Sequence, residues 1–232
     1  MYRHRSLIVT ALITCTAAAQ NNDQGSSFWE NRSTTLSGGA EFGIPLGEFD
    51  FTWGNTTAGL SANIAIPMRT LPLEFGYDFA WGRMGSESSA EQAQGNILGA
   101  RSGRKVEVSS SIYGHHGLIR LNPLRGKVRP YGEVLLGARN FVTRSTISTA
   151  DGMASDERDG KWTTSYGWAV GAMYGIGRQI YVEGRVERLF SGEVSYVDPS
   201  TIQIAADGTV SYQKLSSRTD ALQIQIGVGL RF

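Results

Sequence analysis

The last fourteen residues, Thr219 to Phe232, alternate between two kinds of side chain almost without a fault. Leu222, Ile224, Ile226, Val228, Leu230 and Phe232 share one parity, and Gln223, Gln225, Gly227, Gly229 and Arg231 share the other. A period of two is the period of a β-strand. One face of this strand is wholly apolar, while the other carries amides, glycines and a guanidinium. Such a dyad, ending the chain on an aromatic, is the pattern of a strand that closes a membrane β-barrel.

Seven earlier segments repeat the logic. In Leu73–Gly82 the outer set is Leu73, Phe75, Tyr77, Phe79 and Trp81, and the inner set is Glu74, Gly76, Asp78, Ala80 and Gly82. Between Trp162 and Gly177, Tyr166, Trp168, Val170, Ala172, Tyr174 and Ile176 oppose Ser165, Gly167, Ala169, Gly171 and Gly175. Shorter dyads run over Thr34–Ile44, Thr57–Ile66, Val128–Thr143 and Gln179–Phe190. The weakest segment is Lys105–Leu121, where Val106, Val108 and Ile112 take one parity but Ile119 and Leu121 the other. A bulge near Gly114 or Gly117 would reconcile them.

Connection lengths set the topology. Short turns at about 67–72, 122–127 and 177–179 alternate with long polar stretches at about 47–55, 83–104, 145–161 and 191–217. The expected fold is therefore all-β: an eight-stranded, antiparallel, up-and-down transmembrane barrel with short periplasmic turns and long extracellular loops. Within the last loop, alternating runs flank Asp207-Gly208, a hairpin signal that would carry the final two barrel strands well beyond the bilayer.

The N-terminus, Met1 to Arg5, is basic, and an apolar stretch from Leu7 to Ala19 follows it. That stretch is too short to cross a bilayer as a helix, and with Ala17–Ala19 before Gln20 it reads as a secretory signal. Residues 1–19 are thus expected to be a signal peptide, 20–32 a short periplasmic segment, and 33–232 the barrel. Cys15 sits in a faint counterpart of a lipidation box, but Thr14 before it fits poorly. If Cys15 leaves with the leader, the mature chain has no cysteine, which excludes disulfides and thiolate metal sites. Losing Arg3 and Arg5 leaves 20 Lys and Arg against 21 Asp and Glu, a net charge of about −1 with no basic field for nucleic acid.

The stretches Gly43–Phe49 (GIPLGEF) and Val128–Glu133 (VRPYGE), together with the terminal Phe232, resemble the OmpA-like outer-membrane β-barrel families. The resemblance covers the barrel only, without the peptidoglycan-binding domain that follows it in some members. It implies an outer-membrane location in a Gram-negative-type bacterium, contact with outer-membrane lipid and lipopolysaccharide, and a role for Phe232 as the signal read by the barrel-assembly machinery.

Parity sends Glu41, Asn63, Glu74, Asp78, Glu133, Arg139, Glu183, Arg185, Glu187, Gln223, Gln225 and Arg231 into the lumen. An eight-stranded barrel is just wide enough to be filled by such side chains. They are expected to form a plugging ion-pair network, because buried charges persist only when paired. Phe75, Tyr77, Trp81, Trp162, Tyr166, Trp168 and Tyr174 face outward and read as interfacial girdles.

Catalytic signals are weak. His115 and His116 lie near Ser109–Ser111 and Glu107, but lipid A deacylases carry a His-x-Ser arrangement where this chain has His116-Gly-Leu118. Adjacent histidines face opposite sides of a strand and cannot share one metal ion. Asp156, Glu157 and Asp159 lack the spacing of a calcium loop. Gly175-Ile-Gly177 and Gly227-Val-Gly229 lie within strands and are not phosphate loops. The expected protein is a monomeric, non-enzymatic envelope component without cofactor or metal, engaging an unidentified extracellular partner through its loops. The alternatives are an outer-leaflet lipid-modifying enzyme, a narrow porin-like channel or small-ligand conduit, and a soluble secreted barrel of lipocalin type, which the glycines and charges of the polar faces and the girdle-like aromatics disfavour.

Overall fold

A computed structural model of the chain describes residues 33–68, 71–91, 104–124, 126–149, 152–197, 201, 203–204, 210–211 and 213–232. The barrel is built by β1 (Thr35–Pro45), β2 (Thr57–Pro67), β3 (Leu73–Glu91), β4 (Arg104–Leu121), β5 (Val128–Thr149), β6 (Gly152–Gly175), β7 (Ile180–Ser191) and the last strand, β12 (Ala221–Arg231). These eight pair antiparallel in sequence order and close on themselves, with β12 between β7 and β1. The closing register runs from Thr35 opposite Arg231 to Pro45 opposite Ala221. Between β1 and β2 lies a single helical turn, α1 (Glu48–Thr52). Between β7 and β12 lie β8 (Glu193–Val197), β9 (Gln203–Ile204), β10 (Val210–Ser211) and β11 (Lys214–Arg218). The segments read as signal peptide and periplasmic lead-in, 1–32, lie outside the described residues.

The dyad places apolar side chains on the outside. Leu136 is 73% exposed and Ile226 66%, in company with Leu60, Val134, Trp162, Val228 and Phe232. A belt of this kind is the surface that hydrocarbon covers. Inside, backbones come close enough that some positions admit no side chain. The Tyr181 ring lies against Gly229, its directly paired neighbour, and the Tyr131 ring lies against Gly171 in the same way. A Cβ at Gly229 would fall within the Tyr181 ring. Gly229→Val is therefore expected to cost about 1–3 kcal/mol through overpacking, seen as a lowered urea midpoint for the fast-migrating, unheated gel band of the folded barrel.

Three expectations change. First, β4 pairs with β5 without any shift, so there is no bulge at Gly114 or Gly117. The irregularity lies on β3, between Arg83 and Gly85, where Met84 is left out of the ladder and buried. Val108, Ile112, Leu118 and Arg120 therefore all point inward on one unbroken parity. Second, much of 83–104 and 145–161 is strand rather than loop, since β3 to β6 continue upward as ladders. Third, β8 and β11 do not prolong the barrel strands: they pair with each other as a separate sheet. That hairpin leans over the mouth, because Val194 and Tyr196 of β8 are buried against Phe49 and Phe141.

Candidate functional site

All twelve side chains assigned to the lumen from parity are buried in the barrel interior. Arg185 on β7 is the hub of the middle layer. Its Nη1 donates to Asp78 Oδ1 at 2.6 Å and to Gln225 Oε1 at 3.2 Å. Its Nε lies 2.9 Å from Glu133 Oε2 and its Nη2 2.7 Å from Glu187 Oε2. One guanidinium thus faces three carboxylates drawn from β3, β5 and β7.

A second hub was not foreseen. Arg120 on β4 has no exposed surface. Its Nε donates to Glu133 Oε1 at 2.5 Å and its Nη2 to Asn63 Oδ1 at 3.1 Å. Glu74 lies 3.6 Å from its Nη1 and Glu183 3.6 Å from its Nη2. The guanidinium also stacks 4.2 Å from the centre of the Tyr131 ring, and the Tyr131 hydroxyl donates to Glu183 Oε1 at 2.5 Å. Glu133 accepts from Arg120 and pairs ionically with Arg185, and so joins the two layers. Ile119 and Leu121 face outward, which by itself puts Arg120 between them in the lumen, and His116 follows once the strand runs unbroken.

Above Arg185 the interior changes character. Arg139 Nη1 donates to Thr219 O at 2.8 Å, pinning the start of the closing strand. Higher still, Phe49, Trp53, Met84, Ile112, Phe141, Val194 and Tyr196 form a buried cluster across the mouth. Phe49 and Trp53 stack at 5.3 Å, and Phe49 meets Tyr196 edge-on at 5.6 Å. Glu48 accepts the Arg218 backbone N–H at 3.1 Å, which ties α1 to β11. Phe49→Ala removes the centre of this cluster. The expected result is faster hydrogen exchange at the Phe51 and Trp53 amides, which bond Gly47 O and Phe49 O, with unchanged gel mobility of the barrel below.

The two histidines part company. His115 points outward, 2.5 Å from the Tyr77 hydroxyl at Nδ1, among the rings of Phe79 and Trp162. His116 points inward and is 1% exposed. Among the described residues no serine joins either: Ser110, the inward member of its triplet, bonds Thr143 at 3.1 Å. His116 instead meets Asp78 and Glu187, each offering one ligand atom within 4.8 Å of the others. Of the loop acids, Asp159 lies 3.3 Å from the Lys214 ammonium, while the side chains of Asp156 and Glu157 lie outside the described set. The girdle candidates Phe75, Tyr77, Trp162, Tyr166, Trp168 and Tyr174 are exposed on the outer face, and Trp81 is partly covered there.

No protein-family model matches the chain, and no curated protein matches it. Among solved structures, Ail, the attachment invasion locus protein of Yersinia pestis, is similar at 13% identity and a TM-score of 0.47, over 87% of this chain and 100% of that one. Neisserial surface protein A is similar at 13% identity and 0.43, over 90% and 100%. A major outer membrane protein from Thermus thermophilus is similar at 11% identity and 0.45, over 86% and 100%. The closed eight-stranded barrel follows from this chain's own strand pairing, sealed where β12 meets β1.

Proposed function

We propose that the chain is an integral outer-membrane barrel with a non-enzymatic role in envelope structure and surface interaction, its lumen closed to passage. The observation that carries this reading is the stacking of three closures: the Arg120 layer, the Arg185 layer and the aromatic cluster across the mouth. A conduit needs a continuous wet path, and the ion pairs and ring contacts within these layers support a lumen without one. Solvent-facing structure instead lies on the outside of the mouth, where the upper halves of β3 to β6, α1 and the β8–β11 hairpin offer surface to a partner. Phe51 on α1 is 95% exposed there.

On this reading, lipid and lipopolysaccharide contact the apolar belt, Phe232 serves the assembly machinery, and the protein is a monomer. Planar-bilayer recording tests the closed lumen. No unit conductance is expected from the protein or from Phe49→Ala, because both ionic layers remain in that variant; steady single-channel openings in either would favour the conduit. Mass spectrometry of lipid A from cells with and without the protein tests the non-enzymatic role, with an altered acylation pattern as the overturning result. Recovery in the soluble fraction without detergent would overturn membrane insertion itself.

A further inference from the structure

The middle of the barrel holds a feature that closure alone does not require. His116 on β4 is fully enclosed, and neither of its ring nitrogens has a hydrogen-bond partner among the described residues. Buried polar atoms in folded proteins almost always have partners. Beside it, Glu187 Oε1 is likewise buried and unpartnered among them, while Glu187 Oε2 faces Arg185. Asp78, directly opposite His116 in the β3–β4 register, completes the group. One ligand atom from each of the three lies within 4.8 Å of the other two.

Charge points the same way. Among the described residues, the buried ionisable groups comprise six carboxylates (Glu41, Glu74, Asp78, Glu133, Glu183 and Glu187) against five guanidinium groups. The imbalance is concentrated where two guanidinium groups, Arg120 and Arg185, face five carboxylates between them, with Glu133 shared and Asp78 and Glu187 on the Arg185 side. Carboxylates left in a low-dielectric interior without full compensation are costly. A cation placed among His116, Asp78 and Glu187 would meet the excess charge and the orphaned nitrogen together.

We infer that Asp78, His116 and Glu187 form a binding site for a single divalent transition-metal cation of the zinc class inside the closed lumen. Mixed imidazole and carboxylate donors suit zinc and its neighbours, whereas calcium and magnesium prefer oxygen alone. Three protein ligands leave one position for water, a common zinc arrangement with bonds of about 2.0–2.2 Å. Such bonds require the donor atoms to draw together from their present spacing, which Glu187, the longest of the three side chains, is best able to supply. Arg185 then acts from behind: it donates to Asp78 Oδ1 and pairs with Glu187 Oε2, leaving Glu187 Oε1 for the metal. Just above, a cavity of about 10 Å³ lined by Glu41, Gly114, His116, Arg139 and Gln223 has room for one water. Because the aromatic mouth and the Arg120 layer enclose the site from both ends, the ion is taken up while the barrel assembles and exchanges slowly afterwards. This cation is a structural fastener across β3, β4 and β7.

The test uses the full chain folded into detergent in the presence of zinc, washed with chelator and counted for metal by mass spectrometry. About one zinc per chain is expected to survive the wash. His116→Gln should lower metal affinity at least about 10–100-fold, since even outer-shell changes typically cost that much. His115→Gln, one residue away but facing outward, should retain the metal in full. Equal retention by the protein and by His116→Gln would overturn the site, as would loss in His115→Gln alone. A second measurement does not depend on any variant folding: the unaltered protein folded with cobalt in place of zinc should show visible d–d absorption. A colourless, cobalt-free barrel would overturn the proposal.

Discussion

Arg120→Met is expected to destabilise the barrel by about 3–5 kcal/mol, the usual cost of breaking a buried ion pair from one side. The substitution keeps the length and apolar bulk of the stem but removes the charge that Glu74, Glu133 and Glu183 share. It also strips the Tyr131 ring of the cation stacked upon it. Urea titration in detergent, followed by loss of the fast-migrating band, reads the effect. Adding Glu133→Gln should restore part of the loss, because one stranded carboxylate is then neutral. A midpoint unchanged by Arg120→Met would mean that the layer is filled without being held by charge.

Arg185→Ala is expected to cost a similar amount, again about 3–5 kcal/mol, for a related reason with a different geometry. Its guanidinium connects Asp78, Glu133 and Glu187 across the lumen, and removing it exposes those three carboxylates to one another. The two losses should not add. Glu133 touches both hubs, through Oε1 to Arg120 and Oε2 to Arg185, and residues sharing a partner couple measurably. A double-variant cycle of Arg120→Met and Arg185→Ala therefore has an expected interaction energy of about 0.5–3 kcal/mol. Strict additivity would separate the layers into independent plugs.

The lower half of the barrel was legible because its outer face is consistently apolar and its charged side chains turn inward, although Leu118, Leu135 and Met173 also pack inside. Tyr77, Trp168 and Ile226 lie on the outer face, and Asp78, Glu183 and Gln225 on the inner. The mouth was illegible because this pattern fails there. Val108, Ile112 and Phe141 turn inward, and the last two meet Phe49, Trp53 and Tyr196 from distant loops, so apolar parity reverses its meaning without any change in the strand. Reading that reversal as a bulge left the side of His116 unsettled, whereas Arg120, between the outward Ile119 and Leu121, was legible on either reading. A strand pattern reports which face is apolar; which face is the inside depends on what the loops bring to it.

The unequal height of the wall has a consequence for how the molecule tolerates its neighbours. β2 reaches no higher on β3 than the pairing of Ala58 with Arg83, and β7 reaches no higher on β6 than that of Ser191 with Ser165. Among the described residues, the flank of β3 from Met84 to Glu91 and that of β6 from Gly152 to Thr164 therefore carry no second ladder. A barrel has no free margin, but this one regains two where it rises clear of its shorter strands. Such margins are templates for unwanted strand addition between molecules, and proteins blunt them with charge. Asp156, Glu157, Arg158, Asp159 and Lys161 fall along one margin, while Glu87 and Glu91 fall along the other. Charges at these sequence positions are of the kind that discourages such strand addition.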